Sequence, residues 1–127
     1  MSRKIVLAST SKWRRGLLER LGLAFEQHSP HFEEGPRPEL TPMEVAQTFA
    51  TCKAESLVSS CPDSLIIGSD QVLDLGGRRL DKPESLAACA ERLRELSGQW
   101  HILHTGVCIV DAKSGQAYSA LTSVRLK

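Results

Sequence analysis

Apolar positions follow two rhythms along this chain. The opening run "KIVLA" (residues 4–8) is apolar and β-rich, the pattern of a buried strand. Past the hydroxyl stretch Ser9-Thr10-Ser11 the spacing changes to Trp13, Leu17, Leu18 and Leu21. That spacing predicts a helix with N-cap hydroxyls before it and Gly22 as its stop. The polar, proline-containing stretch "HFEEGPRPEL" (residues 31–40) is predicted as a loop. Thr41, Pro42 and Glu44 then supply an N-cap, a first-turn proline and the third-position acid of a capping box. The helix they start is predicted from about Pro42 to Ser59.

In "SLIIGSDQVLDLGGRRLDKP" the pattern predicts a strand, a polar break at Gly68-Ser69-Asp70, a second short strand and a Gly-Gly turn. Leu86, Ala90, Leu93 and Leu96 mark one face of a further helix, closed by Ser97-Gly98. "WHILHTGVCIVD", the turn "AKSG" and "QAYSALTSVRLK" read as a β-hairpin. Early alternation of strand and helix followed by a hairpin predicts a mixed β-sheet flanked by helices, in the α/β class. The chain has no repeats and no linker. It reads as a single domain, residues 1–127, that stops inside a predicted strand as if cut there.

Composition narrows the functions on offer. A chain of 127 residues has the usual size of one domain, and 41% hydrophobic with 24% charged residues is an ordinary globular balance. The net charge of +1 supplies no general field toward a nucleic acid polymer or an anionic membrane. Any anion must therefore be held by a local cluster. The apolar run Ile5–Ala8 is too short for a signal peptide or a membrane span. Cys52, Cys61, Cys89 and Cys108 are far apart and form no C-x-x-C pair. They read as reduced thiols of a cytoplasmic protein, not as zinc ligands.

Three places could carry chemistry. In "ASTSKWRR" a strand passes through small residues into a helix N-terminus, where free N–H groups and the helix dipole favour an anion. Ser9 and Ser11 could donate to phosphate oxygens there, and Arg14 could bind one bidentately. The plainer alternative makes Ser11 an N-cap and the cations a solvated face, although first-turn cations oppose the dipole unless an anion is present. Lys53 lies in line with Val45, Phe49 and Leu57, so its ammonium either snorkels to the surface or meets a phosphate or carboxylate in a polar cleft. Asp70 follows an apolar strand, where a carboxylate could serve a metal ion or an attacking water, or simply cap the strand end in an Asx-type turn. Glu33-Glu34 and Lys82 add a possible acid and cation. His101 and His104, three apart in a predicted strand, face opposite ways and cannot share a metal.

Taken in order, "LASTSKWRRGLLERLG", "EE" with a nearby proline, "KAESL", "IIGSDQV", "LDKP" and "LSGQWHILHTGV" resemble the successive motifs of the Maf nucleotide pyrophosphatases. "WRR" and "SDQV" resemble the subgroup acting on 7-methyl-GTP. The resemblance implies a fold like that of inosine triphosphatases, with two lobes around a nucleotide cleft. It also implies hydrolysis of a nucleoside triphosphate to the monophosphate and pyrophosphate, with Mg2+ or Mn2+ and often as a homodimer. By this resemblance the proton acceptor falls on Asp70. Triphosphate binding falls on Ser9, Arg14, Lys53 and Lys82, and the metal on Glu34 and Asp70. Substrate specificity falls on Trp13 and Gln71, with a third position beyond Lys127, in a C-terminal third of the family fold that this chain lacks. Lys12 stands where the family commonly has proline. The rival readings are the subgroup acting on dTTP and UTP, which usually has Arg and Thr where this chain has Trp13 and Gln71, and a nucleotide-binding regulator of septum formation without turnover. A plain α/β interaction domain would leave the coincidence of motifs unexplained.

Overall fold

The computed structural model describes residues 3–127. Strand β1 (Ile5–Ala8) leads into helix α1 (Lys12–Glu19), followed by strand β2 (Glu26–His28) and helix α2 (Pro42–Glu55). Strands β3 (Leu65–Leu75) and β4 (Arg78–Leu80), helix α3 (Leu86–Leu96), and strands β5 (His101–Asp111) and β6 (Ala117–Leu126) complete it. The sheet runs β2-β1-β3-β5-β6, with β4 paired to β3 outside that order. β1 is parallel to both of its neighbours, whereas β3–β5, β5–β6 and β3–β4 are antiparallel. The mixed sheet and the hairpin are as the pattern predicted.

Helix α2 covers one face of this sheet. Its capping box is complete: the Thr41 hydroxyl accepts from the Glu44 N–H, and the Glu44 carboxylate accepts from the Thr41 N–H. Its buried face carries Val45, Ala46, Phe49, Ala50 and Ala54 against Val6, Ala8, Ile66, Val72, Cys108 and Val110. The helix ends four residues before the predicted Ser59. There the Ser56 hydroxyl bonds back to the Lys53 carbonyl and the backbone tightens to i→i+3 bonds through Val58.

The predicted break at Gly68-Ser69-Asp70 does not exist. β3 is continuous from Leu65 to Leu75, and Gly68, Ser69 and Asp70 all pair with β5. The polar break signal came from two local demands that leave the ladder intact. A Cβ on Gly68 would stand 2.1 Å from the Ala50 carbonyl oxygen, and one on Gly106 would stand 2.5 Å from that of Ala46. These glycines let α2 lie directly on the sheet. Asp70, on the same face, is paired with a lysine of α2. The three-residue strand β2 was not foreseen, because "EQH" carries no apolar alternation.

Candidate active site

β1 stops at Ala8, but its parallel partner β3 continues beyond Ile67, the last residue in register with β1. A cleft of about 720 Å3 opens at that step. The turn after β1, the first turn of α1, the loop before α2, one face of α2, and β3–β4 line it. Asp70 therefore lies beyond the carboxyl end of β1, although it stands in the middle of its own strand.

The turn is built as a nested pair of caps. The Ser9 hydroxyl oxygen accepts the Ser11 N–H at 3.0 Å, and the Ser11 hydroxyl oxygen accepts the Arg14 N–H at 3.2 Å. Ser11 is thus the N-cap of α1, and Ser9 is buried beneath it. The first turn carries Lys12 and Arg14 and no acid, so the positive end of the helix is uncompensated. Trp13 is 73% exposed at the rim, and no residue of α1 is buried, so Trp13, Leu17 and Leu21 do not form a core stripe.

Lys53 resolves in favour of the polar cleft. Its ammonium is 2.5 Å from Glu34 Oε1 and 3.3 Å from Asp70 Oδ1, and the residue is 8% exposed. Glu34 takes part and Glu33 does not. Asp70 is 6% exposed. Its burial pushes the carboxyl above the ordinary carboxylate range, against the pull of Lys53, while Glu34 adds to the rise. Two carboxylates thus converge on one buried ammonium. Among the described residues no group of three or more His, Cys, Asp or Glu side chains is placed to hold a metal. A pair of carboxylates is nevertheless the donor set that Mg2+ or Mn2+ takes when phosphate oxygens and water complete its shell.

Arg14 and Lys82 reach the same cleft from two other sides. Gln71 borders it from the opposite face of β3, where its amide donates to the Thr105 hydroxyl at 3.2 Å. Ser9, Trp13, Arg14, Glu34, Lys53, Asp70, Gln71 and Lys82 are therefore brought to one place by four separate segments of the chain. Sequence reasoning missed Arg79, Phe49 and Phe32, which also line the cleft. Phe49 read only as part of the α2 stripe, and Arg79 carries no spacing signal. His104 turns inward to Asp74 and Ser123, away from the cleft, whereas His101 bonds the Gln99 carbonyl oxygen. All four cysteines are free. No helix among the described residues is long and apolar enough to cross a membrane.

Comparison with known proteins bears on this arrangement. The family model described as Maf-like protein matches residues 4–127. A 7-methyl-GTP pyrophosphatase of Polaromonas sp. is 42% identical over 125 residues, covering 98% of this chain and 57% of the relative. One of Aromatoleum aromaticum is 42% identical over 124 residues, covering 98% of this chain and 64% of the relative. The chain thus spans about three fifths of the length of these curated relatives. Among solved structures, the Staphylococcus aureus Ham1 protein superposes with a TM-score of 0.65 at 15% identity, over 97% of this chain and 70% of that one. A nucleoside-triphosphatase / dITP/XTP pyrophosphatase from Mycobacterium abscessus gives 0.59 at 18%, over 96% and 72%. At such identities the likeness is one of fold.

Proposed function

This chain belongs to the Maf family, and on that premise we propose that it carries the catalytic cleft of a nucleoside triphosphate pyrophosphatase, with 7-methyl-GTP as the preferred substrate. The observation that carries this reading is the buried Lys53 ammonium shared by Glu34 and Asp70 at the mouth of a helix N-terminus. The name borne by both 42% identical relatives supports the same substrate.

The triphosphate lies along the cleft, its charge met by the first turn of α1, Ser9, Arg14, Lys53 and Lys82. Glu34 and Asp70 would hold a divalent cation, Mg2+ or Mn2+, which supplies neutralising charge on the phosphates when bound. Asp70 accepts a proton from the water that attacks the α-phosphorus, and the bond from that phosphorus to the α–β bridging oxygen breaks to release pyrophosphate. Its burial beside Lys53 keeps that carboxylate unsolvated and oriented. Arg14, Lys53 and Lys82 balance the charge that grows on the departing pyrophosphate. Trp13 presents an exposed ring at the rim, and a 7-methylguanine, being cationic, is attracted to such a face by stacking and cation–π interaction. Gln71 reads the base from the other side. On this reading the protein works in the cytoplasm, as a homodimer, on small nucleotides and not on a nucleic acid polymer.

The test is product identity. With Mg2+ and 7-methyl-GTP, GTP, dTTP or UTP, the expected products are monophosphate plus pyrophosphate, fastest from 7-methyl-GTP. Preference for dTTP or UTP would move the chain to the other subgroup. Tight nucleotide binding with no turnover of any of the four would favour the regulator.

A further inference from the structure

Arg79 joins the two rims of the cleft through one side chain. Its Nε donates to Asp81 Oδ1 at 2.9 Å, and Asp81 immediately precedes Lys82. Its Nη2 donates to the Gly35 carbonyl oxygen at 3.4 Å, and Gly35 immediately follows Glu34. The guanidinium carbon lies 5.5 Å from the centre of the Phe49 ring. That ring meets Phe32 edge-on at 5.3 Å, two residues before Glu34. Glu34 is therefore tethered on both flanks to Arg79, directly through Gly35 and through the Phe49–Phe32 stack. Otherwise the acid stands in an irregular loop and is half exposed.

The cost of this arrangement points to a role beyond packing. Arg79 Nη1 is buried and has no hydrogen-bond partner among the described residues. An unpaired buried donor on a cation is destabilising, and an apolar side chain of similar length would fill the slot without it. Packing alone gives no reason for a guanidinium here. A planar fork that reaches two acceptors on opposite rims does, because a lysine or methionine cannot span both.

We infer that Arg79 is a positioning residue that fixes the Glu34 carboxylate relative to Asp70 and Lys53, and so sets the affinity of the cleft for a divalent cation. The inference rests on the metal-binding part of the proposed function. Groups that orient metal ligands typically change metal affinity by about 10–100-fold when removed.

The experiment titrates Mn2+ into the chain, followed by electron paramagnetic resonance, with thermal melting alongside. Wild type, Arg79→Met, Arg79→Lys and Glu34→Gln are compared. Arg79→Met is expected to weaken Mn2+ binding by about tenfold or more while leaving the melting temperature unchanged or higher. Arg79→Lys, which keeps the charge but not the fork, is expected to behave like Arg79→Met. Wild-type affinity in either Arg79 variant, with Glu34→Gln weakened, would overturn the inference and leave the proposed metal site standing. Wild-type affinity in Glu34→Gln would overturn both. Weakened binding accompanied by a lowered melting temperature in Arg79→Met would assign Arg79 a structural role and also overturn it.

Discussion

At the scale of single residues, Trp13 and Asp70 make the sharpest demands. A tryptophan 73% exposed in the first turn of α1 contributes nothing to the core, so its truncation tests recognition with little effect on folding. A cation–π contact of about 1–2 kcal/mol translates to roughly tenfold in discrimination. Trp13→Ala is expected to reduce the preference for 7-methyl-GTP over GTP by about that factor in kcat/KM, with the melting temperature unmoved. An unchanged preference would remove Trp13 from base recognition. Asp70 pulls stability and function apart. Because its folded pKa is raised, mainly by burial, the fold favours the protonated form. The stability it contributes is present below the ordinary carboxylate pKa and is lost as pH rises through the higher folded value. At neutral pH the ionised group therefore opposes folding. Asp70→Asn is expected to melt higher than wild type near pH 7, with the difference shrinking as the pH falls below the carboxylate range. Activity should fall on the acid side as Asp70 takes up its proton, since only the ionised form accepts one from water. Melting curves and pH–rate profiles check the two halves separately.

At the scale of elements, the close approach of α2 to the sheet is what makes the site. Gly68 and Gly106 let the Ala46–Ala50 segment of α2 lie directly on β3 and β5, and this brings Lys53 to within 3.3 Å of Asp70. A methyl group at Gly68 would meet backbone on α2, which cannot swing aside as a flexible side chain would. Gly68→Ala is expected to cost about 3 kcal/mol or more and to lower activity in parallel, as denaturant titration and assay together would show. Leu57→Ala, in the same core but away from the cleft lining, is the comparison for simple core loss. Much of this layer was legible beforehand. Thr41, Pro42 and Glu44 marked the start of α2 because a capping box is a local code. The β5–β6 hairpin was legible from alternation around a glycine turn. The continuity of β3 was not. Gly68 and Asp70 carry poor strand signals, and what makes them fit, a helix backbone above one and a lysine above the other, is contact distant in sequence. The end of α2 was missed for the opposite reason: the apolar stripe continues to Leu57 after the helix has tightened into turns.

At the scale of the whole molecule, the site exists only because four segments meet. Ser9, Trp13 and Arg14 come from the β1–α1 junction and Glu34 from a loop. Lys53 comes from α2, and Asp70, Gln71 and Lys82 from β3 and the segment after β4. Each was legible in the ordered motifs, and spacing alone left the role of each open. Lys53 could have been a snorkelling lysine and Asp70 a turn residue until the fold brought both to Glu34. Arg79 stayed hidden because its meaning lies wholly in what it bridges. The central claim is that this assembly performs base-assisted attack on a bound triphosphate, with Asp70 as the base. The most direct measurement compares wild type and Asp70→Asn on 7-methyl-GTP, recording kcat for pyrophosphate release at saturating Mg2+ and the nucleotide Kd by equilibrium binding without divalent cation. Loss of a positioned general base is expected to lower kcat by about 10^2–10^4-fold while Kd stays within a few-fold. A kcat close to wild type, or a fall explained entirely by lost binding, would contradict it.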